Sequence, residues 1–399
     1  MFNTPLKHQL EAKDFLNSKR YAILADTMGL GKSGSAIIAS DSPVLIICPA
    51  YLKANWLREV SKWDIKIDVS IHSYESVASG KAELNFKFCK TVIVDEAHYA
   101  KSISANRTKA LHHYIQEHHP DKVFLLSGTP CKNRIPEIYS LFMLCTYGNA
   151  ETRKAMMPFY NYWDFCEHFA WSETKTISGR EVVTYSGHRN LPELKALMST
   201  CYLRRLKMDT DLPEMRDINI YLDLDKEVVT TEEYEDFLRG KKTNHLISRK
   251  VKNALAKAPH TAKFCQDIVD EGQADQVVIF CDHTDSISEI AKLLKVPYID
   301  GTVSMEKRDS IINSFTNGFI KYLCITIGTG STGLNLTNTH VMVFNSFPWV
   351  SGDFEQAKKR TNRIGQDKDC IYYQMVAGEF DEMMLKVLAN KAKVLNEVL

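Results

Sequence analysis

Two short stretches carry side chains suited to binding and cleaving a nucleoside triphosphate. The first, DTMGLGKS (26–33), ends as a phosphate-binding loop G-x-x-x-x-G-K-[ST] does, although Asp26 stands where the first glycine is expected. Its glycines allow a tight turn whose N–H groups converge on phosphate oxygens. Lys32 would reach the β- and γ-phosphates, and the Ser33 hydroxyl would bind Mg²⁺.

The second stretch is DEAH (95–98), about 60 residues further along the chain. Asp95 would hold Mg²⁺ through water, and Glu96 would polarise the attacking water. Two adjacent carboxylates at a strand end are costly unless a cation meets them. The glycine loop alone could be an ordinary turn before a helix, but both motifs together indicate nucleotide hydrolysis.

Short apolar runs precede both motifs and predict the strands that position them. In a parallel sheet, ligands gather at the carboxyl ends of such strands. The runs in the first part of the chain are YAILA (21–25), VLIIC (44–48), TVIV (91–94) and KVFLL (122–126). The pattern returns with VVIF (277–280), YLCIT (322–326) and HVMVF (340–344).

The sequence between these groups of strands is aromatic-rich and predicts helices and loops over about 135–210. We therefore expect two α/β lobes, each with a helical insertion. Lobe one covers 1–222, with its insertion at about 135–205. Lobe two covers 223–399, with its insertion at about 226–266.

Composition is ordinary for a globular protein: of 399 residues, 44% are hydrophobic and 25% charged, with a net charge of +1. No apolar run approaches the roughly 20 residues of a membrane span, and the N-terminus lacks the apolar core of a signal peptide. We expect a cytoplasmic protein without membrane contact. The ten cysteines form no C-x-x-C pair, and the histidines of HHYIQEHH (112–119) predict a helix end rather than a metal site.

The loop DTMGLGKS resembles the D-E-M-G-L-G-K-T loop of the Swi/Snf-type DNA-dependent ATPases of helicase superfamily two, in which Asp26 is the family's own residue. The resemblance continues in order through LKHQLEAKDFL (6–16), DEAHYAKS (95–102), LLSGTPCKNRIPEIYSLF (125–142) and QAKKRTNRIGQ (356–366). Lys359 and Asn362 depart from the glycine and histidine usual in the last motif.

This resemblance implies two tandem RecA-like parallel-sheet lobes with the ATP site in the interlobe cleft. It implies catalytic roles for Lys32, Asp95, Glu96, Arg360 and Arg363, with Ser33 and Asp95 holding Mg²⁺. The residues implied for ATP binding are Gln9, Asp26, Thr27, Met28, Gly29, Leu30, Gly31, Lys32, Ser33 and Gln356.

Gln356, Arg360 and Arg363 are spaced so that a helix would place all three on one face. The arginines would then point into the cleft and stabilise charge on the transferring phosphoryl group. The alternative is a basic, solvent-facing helix with Gly365 as its C-terminal cap.

For DNA, the family positions implied are Lys53, Tyr74, Lys101, Asn133, Arg205, Gly330 and Trp349. Residues 237–266 also contain eight Lys or Arg and no acid. This basic stretch could track phosphates or form a solvated helix face, and both readings stay open. Trp56 and Trp63 are predicted to be core residues.

The expected function is an ATP-dependent double-stranded DNA translocase or remodeller. It would act as a monomeric motor on branched or forked DNA in replication, recombination or repair, in a bacterial or phage-infected cell. The alternatives are a strand-separating DNA or RNA helicase and an ATP-dependent DNA clamp without motor activity.

Overall fold

The chain folds into two compact units that each contain a parallel sheet. The structure, a computed structural model, describes residues 4–27, 29–63, 65–80, 88–132, 134–177, 180–205, 213–224, 243–330, 334–363 and 365–398. Unit one comprises Met1–Thr174, Val183–Asp209 and Val394–Leu399, and unit two comprises Lys175–Val182 and Thr210–Lys393.

The first sheet has the strand order β3-β2-β4-β5-β1-β8, with every pair parallel. Its strands are β1 (Tyr21–Leu24), β2 (Val44–Cys48), β3 (Val69–Ser73), β4 (Thr91–Asp95), β5 (Lys122–Leu126) and β8 (Tyr202–Leu203). The helices are α1 (Lys7–Lys19), α2 (Lys32–Ala39), α3 (Lys53–Val60), α4 (Tyr74–Ala78), α5 (Asn106–His118), α6 (Tyr139–Thr146), α7 (Ala150–Met156), α8 (Tyr162–Phe169) and α9 (Leu191–Ser199).

The second sheet has the order β11-β12-β10-β13-β14-β9, again with every pair parallel. Its strands are β9 (Met215–Tyr221), β10 (Val277–Cys281), β11 (Tyr298–Ile299), β12 (Tyr322–Thr326), β13 (Val341–Phe344) and β14 (Cys370–Val376). The helices are α10 (Thr243–Asp270), α11 (Thr284–Leu294), α12 (Met305–Thr316), α13 (Ile327–Gly330), α14 (Ser351–Lys358) and α15 (Gly378–Val398).

The central strands of both six-stranded sheets are buried on both faces. In the first sheet, Ile23 belongs to one apolar cluster and its neighbours Ala22 and Leu24 to another. In the second, Phe280 and Ile279 divide between two clusters in the same way. Adjacent strand residues point to opposite faces, so continuous apolar runs are what a sheet covered on both sides requires. The prediction of two parallel-sheet lobes is confirmed.

The predicted insertion in lobe one contains more strand than expected. β6 (Trp171–Ile177) and β7 (Arg180–Ser186) form a two-stranded sheet between α8 and α9. Its described residues are mostly exposed, so these strands lack the apolar runs that reveal a buried strand. Residues 225–242, in the predicted insertion of lobe two, lie outside the described residues.

The predicted lobe boundary at 222/223 also differs from the structure. β9 lies before that boundary, yet it pairs along its whole length with β14 in the second sheet. Its sequence MRDINIY lacks a continuous apolar run and alternates polar and apolar residues from Asp217 to Ile220, because it forms an edge that faces solvent.

All ten cysteines are buried and none forms a disulfide. Burial raises the pKa of the Cys131, Cys265 and Cys324 thiols. The predicted helix end at the histidine pairs is present, since α5 ends at His118 and His119 adopts a left-handed conformation. Among the described residues, no helix is long and apolar enough to cross a membrane.

Candidate active site

The phosphate-binding loop joins β1 to the first turn of α2. Gly29 and Gly31 adopt φ values of 89° and 70°, which side chains other than glycine rarely tolerate. Because α2 begins at Lys32, the N–H groups of its first turn have no partner within the helix. Together with the positive end of the helix dipole they favour a bound anion.

Helix α1 packs against this loop and holds it from one side. His8 Nε2 lies 2.8 Å from the Leu30 carbonyl oxygen, and the Gln9 amide donates to the Gly31 carbonyl at 3.2 Å. A Cβ on Gly31 would lie 2.5 Å from Gln9 Nε2, so the Gln9 amide packs directly against the glycine that the positive φ requires. Gln9, one of the residues implied for ATP binding, therefore lies beside the phosphate loop.

Asp26 has a supporting role that the sequence did not reveal. Its side chain is fully buried, and its carboxylate accepts hydrogen bonds from the backbone N–H and the guanidinium of Arg205. Arg205 also donates to the His8 carbonyl at 2.8 Å and to Glu11 at 3.3 Å. Asp26 and Arg205 thus tie the phosphate loop to α1 and to the end of unit one.

Lys32 turns back onto its own loop. Its ammonium group donates to the carbonyl oxygens of Asp26 at 2.7 Å and Thr27 at 3.3 Å. Thr27 is itself buried, and Met28 lies outside the described residues. The lysine is thus held at the loop in the position from which the resemblance implies that it contacts phosphates.

Asp95 lies at the end of β4, where two donors fix its carboxylate. The Trp56 indole donates to Oδ2 at 2.8 Å, and the backbone N–H of Glu96 donates to Oδ1 at 2.9 Å. Burial, and to a lesser extent the Glu96 carboxylate, raise the pKa of Asp95 above its usual range. Trp56 was predicted to be core only, and it is both buried and a partner of Asp95.

This environment fits Mg²⁺. A poorly solvated carboxylate whose pKa is raised is stabilised by a nearby cation, and each Asp95 oxygen retains accepting capacity beyond its one hydrogen bond. Asp95 and the Ser33 hydroxyl would hold the ion, which would neutralise charge on the phosphates when bound. No group of three or more His, Cys, Asp or Glu side chains among the described residues forms a metal cluster.

Glu96 is held in an unusual conformation by its neighbours. Its φ and ψ of 49° and 50° are left-handed. Tyr74 Oη donates to the carbonyl oxygens of Asp95 at 2.9 Å and Glu96 at 3.3 Å. His98 Nδ1 lies 3.2 Å from both Glu96 Oε2 and Ser127 Oγ. The side chain predicted to activate water is therefore connected to the SGTP stretch (127–130).

His98 and Ser127 were not among the predicted site residues. Their motifs, DEAH and SGTP, were recognised from the sequence. The contact between them appears only once β4 and β5 lie side by side, because the two residues are far apart along the chain.

In unit two, the expected arrangement of Gln356, Arg360 and Arg363 on one helix face is wrong. Helix α14 ends at Lys358, so both arginines lie in the following turns. Tyr372 Oη donates to the Lys358 carbonyl at 2.8 Å, and the Leu336 N–H donates to the Arg360 carbonyl at 3.0 Å. The carbonyl groups that would accept the next hydrogen bonds of the helix therefore have other partners.

The side chains of these residues differ in exposure. Gln356 and Arg360 are buried, with Arg360 only 2% exposed, whereas Arg363 is half-buried and donates to the Lys359 carbonyl at 3.0 Å. Gly365 has a φ of 98°, but it lies well beyond the helix and does not cap it.

Three of the residues predicted to contact DNA have different roles in the structure. Tyr74 is 1% exposed and supports Glu96, Arg205 binds Asp26, and Gly330 is packed so closely that a Cβ would lie 2.5 Å from Phe280. A surface role for Tyr74 or Gly330 is not compatible with this burial. Asn133 lies outside the described residues.

The other three candidates are accessible. Lys53 opens α3 and is partly exposed, and Lys101 is partly exposed with its ammonium 2.8 Å from Glu137. Trp349 is half-buried, with the Lys250 ammonium 4.8 Å from its ring centroid.

The lysines of the basic stretch (237–266) differ in their burial. Lys250 and Lys257 are buried and pair with Asp282 at 2.5 Å and Asp381 at 2.6 Å, so neither tracks phosphates nor faces solvent. Lys263 is exposed and pairs with Asp267 on the same helix. Arg239, Lys241 and Lys242 lie outside the described residues.

Comparison with known families gives the site its context. The SNF2-related domain matches residues 64–268, about half of the chain, and the helicase conserved C-terminal domain matches residues 260–365. The chain belongs to the SNF2-related family. This SNF2-related protein is therefore an enzyme, a DNA-dependent ATPase of helicase superfamily two.

Several proteins are similar to this SNF2-related chain over 94% of its length. The human DNA annealing helicase and endonuclease ZRANB3 is 28% identical, with 38% of that protein covered. The Caenorhabditis elegans homologue of SWI/SNF-related matrix-associated actin-dependent regulator of chromatin subfamily A-like protein 1 is also 28% identical, with 59% covered. The chain thus spans between 38% and 59% of the length of these two relatives.

Among solved structures, the Sulfolobus solfataricus SWI2/SNF2 ATPase core in complex with dsDNA is 22% identical to this SNF2-related chain. The match covers 100% of this chain and 93% of the other, and the superposition is loose, with a TM-score of 0.43.

Replacing Glu96 with Gln should stop turnover while leaving ATP binding in place. The substitution keeps the shape of the side chain but removes the base that polarises water, so we expect kcat to fall by about 10²–10⁴-fold. Steady-state ATPase assays and titration with a fluorescent ATP analogue would measure the two effects. Glu75→Gln, which removes an exposed carboxylate from α4, is the matched control. Normal hydrolysis by Glu96→Gln would show that another group activates water.

Replacing Arg205 with Ala should weaken ATP binding and destabilise unit one. The change leaves the buried Asp26 carboxylate without its guanidinium, which costs about 3–5 kcal/mol. Urea unfolding and KM for ATP would report this, and Arg205→Lys should recover only part of the loss because an ammonium lacks the planar fork. Arg216→Ala, which removes an exposed ion pair, should change stability by about 1 kcal/mol or less. An unchanged KM with loss of DNA stimulation alone would restore the predicted DNA role of Arg205.

Proposed function

We propose that this protein is an ATP-driven translocase on double-stranded DNA that hydrolyses ATP to ADP and phosphate. We further propose branched or forked DNA as its substrate, in replication, recombination or repair. Support comes from its family and from relatives whose names describe a DNA annealing helicase and a regulator of chromatin.

The observation that carries this proposal is the turn joining Glu96 to Lys101. A single 3-10 turn, Ala97–Ala100, separates the candidate catalytic carboxylate from the accessible lysine. The Glu137 carboxylate accepts a hydrogen bond from the Lys101 ammonium and another from the Lys132 backbone N–H, each at 2.8 Å. A DNA phosphate that draws Lys101 away from Glu137 would therefore displace a turn that Glu96 immediately precedes.

This turn offers a physical route for DNA to control hydrolysis. The left-handed backbone of Glu96 is a conformation of low intrinsic stability, maintained by the hydrogen bonds from Tyr74 and the contact with His98. A small movement at Lys101 would change the direction in which the Glu96 carboxylate points. Turnover would then depend on nucleic acid that contacts this surface.

The remaining residues of unit one have separate roles in this proposal. The N–H groups at the start of α2 and the Lys32 ammonium bind the phosphates, and Asp95 with Ser33 holds Mg²⁺. Mg²⁺ would neutralise phosphate charge when bound. Arg205 and Asp26 keep the loop in place without touching the substrate.

The test measures ATP hydrolysis without nucleic acid and then with duplex DNA, forked DNA, single-stranded DNA and RNA at equal low salt. We expect duplex or forked DNA to stimulate hydrolysis, and Glu96→Gln to serve as the blank. Displacement of a third strand from a triplex would then report movement along a duplex that stays paired. Stimulation by single strands or RNA alone, or separation of a simple duplex, would favour the helicase instead. ATP hydrolysis without displacement of the third strand would contradict the proposed movement along DNA.

Replacing Lys101 with Ala should separate DNA stimulation from basal turnover. Basal hydrolysis should persist because the Glu96 contacts with Tyr74 and His98 remain, whereas stimulation by duplex DNA should fall by about tenfold, the effect of one charged contact worth roughly 1.4 kcal/mol. ATPase activity as a function of duplex concentration would measure this. Lys62→Ala, which removes an exposed lysine paired with Glu59 on unit one, is the control. Full stimulation of Lys101→Ala would contradict the proposed route.

Replacing Arg363 with Ala should abolish turnover with little change in ATP affinity, as the resemblance implies for an arginine that stabilises the transferring phosphoryl group. The loss is expected to be about 10³-fold or more in kcat. Arg363 is the better choice than the buried Arg360, whose removal would also disturb the core of unit two. Weaker ATP binding with undiminished kcat would contradict this role.

A further inference from the structure

Strand β9 forms an open edge of the second sheet. It pairs with β14 on one side and ends the strand order of that sheet. The Cys370 N–H donates to the Glu214 carbonyl, and the Leu222 N–H donates to the Val376 carbonyl. Backbone groups alternate in direction along a strand, so those of the even-numbered residues face β14. The N–H and C=O groups of Asp217, Asn219 and Tyr221 therefore point outward.

This edge is accessible along its length. Within the described chain, Met215, Ile218 and Tyr221 are 48%, 37% and 66% exposed. An exposed strand edge with apolar side chains is a template for another strand, and folded proteins usually blunt such edges with prolines, charges or bulges. β9 has no proline and continues its pairing with β14 without interruption. It carries two charged residues, Arg216 and Asp217, and both are engaged in ion pairs.

A cavity of about 480 Å³ lies beside the same strand. Asp217, Asn219 and Tyr221 line one wall, and α14 and α15 line the other. The three residues from β9 are spaced by two, so the cavity follows one face of the strand. A strand added to this edge would place every second side chain against the cavity.

The chemistry of the cavity favours side chains that donate hydrogen bonds. Gln374 lines it and is only 5% exposed, and its amide makes no side-chain hydrogen bond to any described residue. The carboxylates of Asp217 and Glu355 also line it, with the Lys358 ammonium 2.8 Å from the first and 3.7 Å from the second. One cation between two carboxylates leaves a net negative wall, which disfavours phosphate groups and favours donors.

We propose that β9 is a docking site for an extended segment of a partner protein, which adds to the sheet as a seventh strand. Backbone hydrogen bonds to the outward groups of residues 217–221 supply affinity. Lys, Arg, Gln or Asn at alternate positions of the segment reach Gln374, Asp217 and Glu355, which supply specificity. The residues that line the cavity are not among those implied for ATP binding or catalysis, and the proposal does not depend on DNA translocation.

The experiment selects peptides from a random library displayed on phage, using the whole chain as bait. Selected peptides are then synthesised with a fluorescent label and titrated against three variants. Asn219→Pro removes one outward N–H without touching the bonds to β14, and proline is tolerated on an edge strand. Asn219→Ala removes the same side chain but keeps that N–H. Gln374→Leu keeps the size of the side chain and removes its amide.

We expect selected peptides to alternate donor side chains with β-branched residues. They should bind Asn219→Ala like the parent and bind Asn219→Pro about tenfold or more weakly, as the loss of one backbone hydrogen bond predicts. Gln374→Leu should weaken binding while leaving the strand edge intact. Basal ATPase activity should be unchanged in all three variants, which verifies folding and keeps this test independent of the proposed translocation.

Three results would overturn the proposal. Peptides that bind Asn219→Pro as well as Asn219→Ala would not use the strand edge. Failure of the library to yield any peptide that distinguishes these two variants would show that the edge does not accept a strand. Self-association of the chain that Asn219→Pro abolishes in sedimentation would assign the edge to a second copy instead of a partner.

Discussion

The buried carboxylate of Asp26 is the constraint on which the nucleotide site depends. A charge with no exposed surface is stable only with a partner that satisfies it, and Arg205 provides that partner with backbone and side-chain donors. The same guanidinium contacts α1, which in turn contacts the glycine loop through His8 and Gln9. Three segments that are distant in sequence are therefore joined by the hydrogen bonds around one buried ion pair, and the phosphate loop is one of these segments.

A second constraint operates at the end of β4. Asp95 and Glu96 place two carboxylates side by side in a poorly solvated position, and the fold separates their surroundings. Trp56 donates to Asp95, whereas His98 faces Glu96 and links it to Ser127. One carboxylate is thereby suited to holding a cation and the other to handling water.

The sequence predicted the strands that are buried on both faces, because such strands are continuous apolar runs. β2, β5 and β12 have the bounds of the runs that predicted them. β9 was assigned to the wrong side of the lobe boundary because an exposed edge strand needs no such run. The end of α14 before Arg360 was also missed, since it depends on Tyr372 and Leu336, which approach the helix only in the folded unit.

The candidate site shows the same division. Motif residues such as Lys32 and Glu96 were identified by type and spacing, because a phosphate loop and an acidic strand end carry local signatures. Arg205, Trp56 and His98 acquire their partners through long-range packing, and Arg205 was consequently given a DNA role on resemblance alone. The signal available for Arg205 was the buried Asp26 itself: an acid at the head of a glycine loop requires a cation.

The burial of all ten cysteines has a practical consequence for observing this protein at work. Thiols inside a packed core react slowly with maleimides and related dyes, because the reagent does not reach the sulfur. The native cysteines would therefore contribute little background labelling. A single cysteine introduced at an exposed position on each unit would take up a dye selectively, and energy transfer between two such dyes would follow the units through a cycle of ATP binding and release without removal of any native thiol.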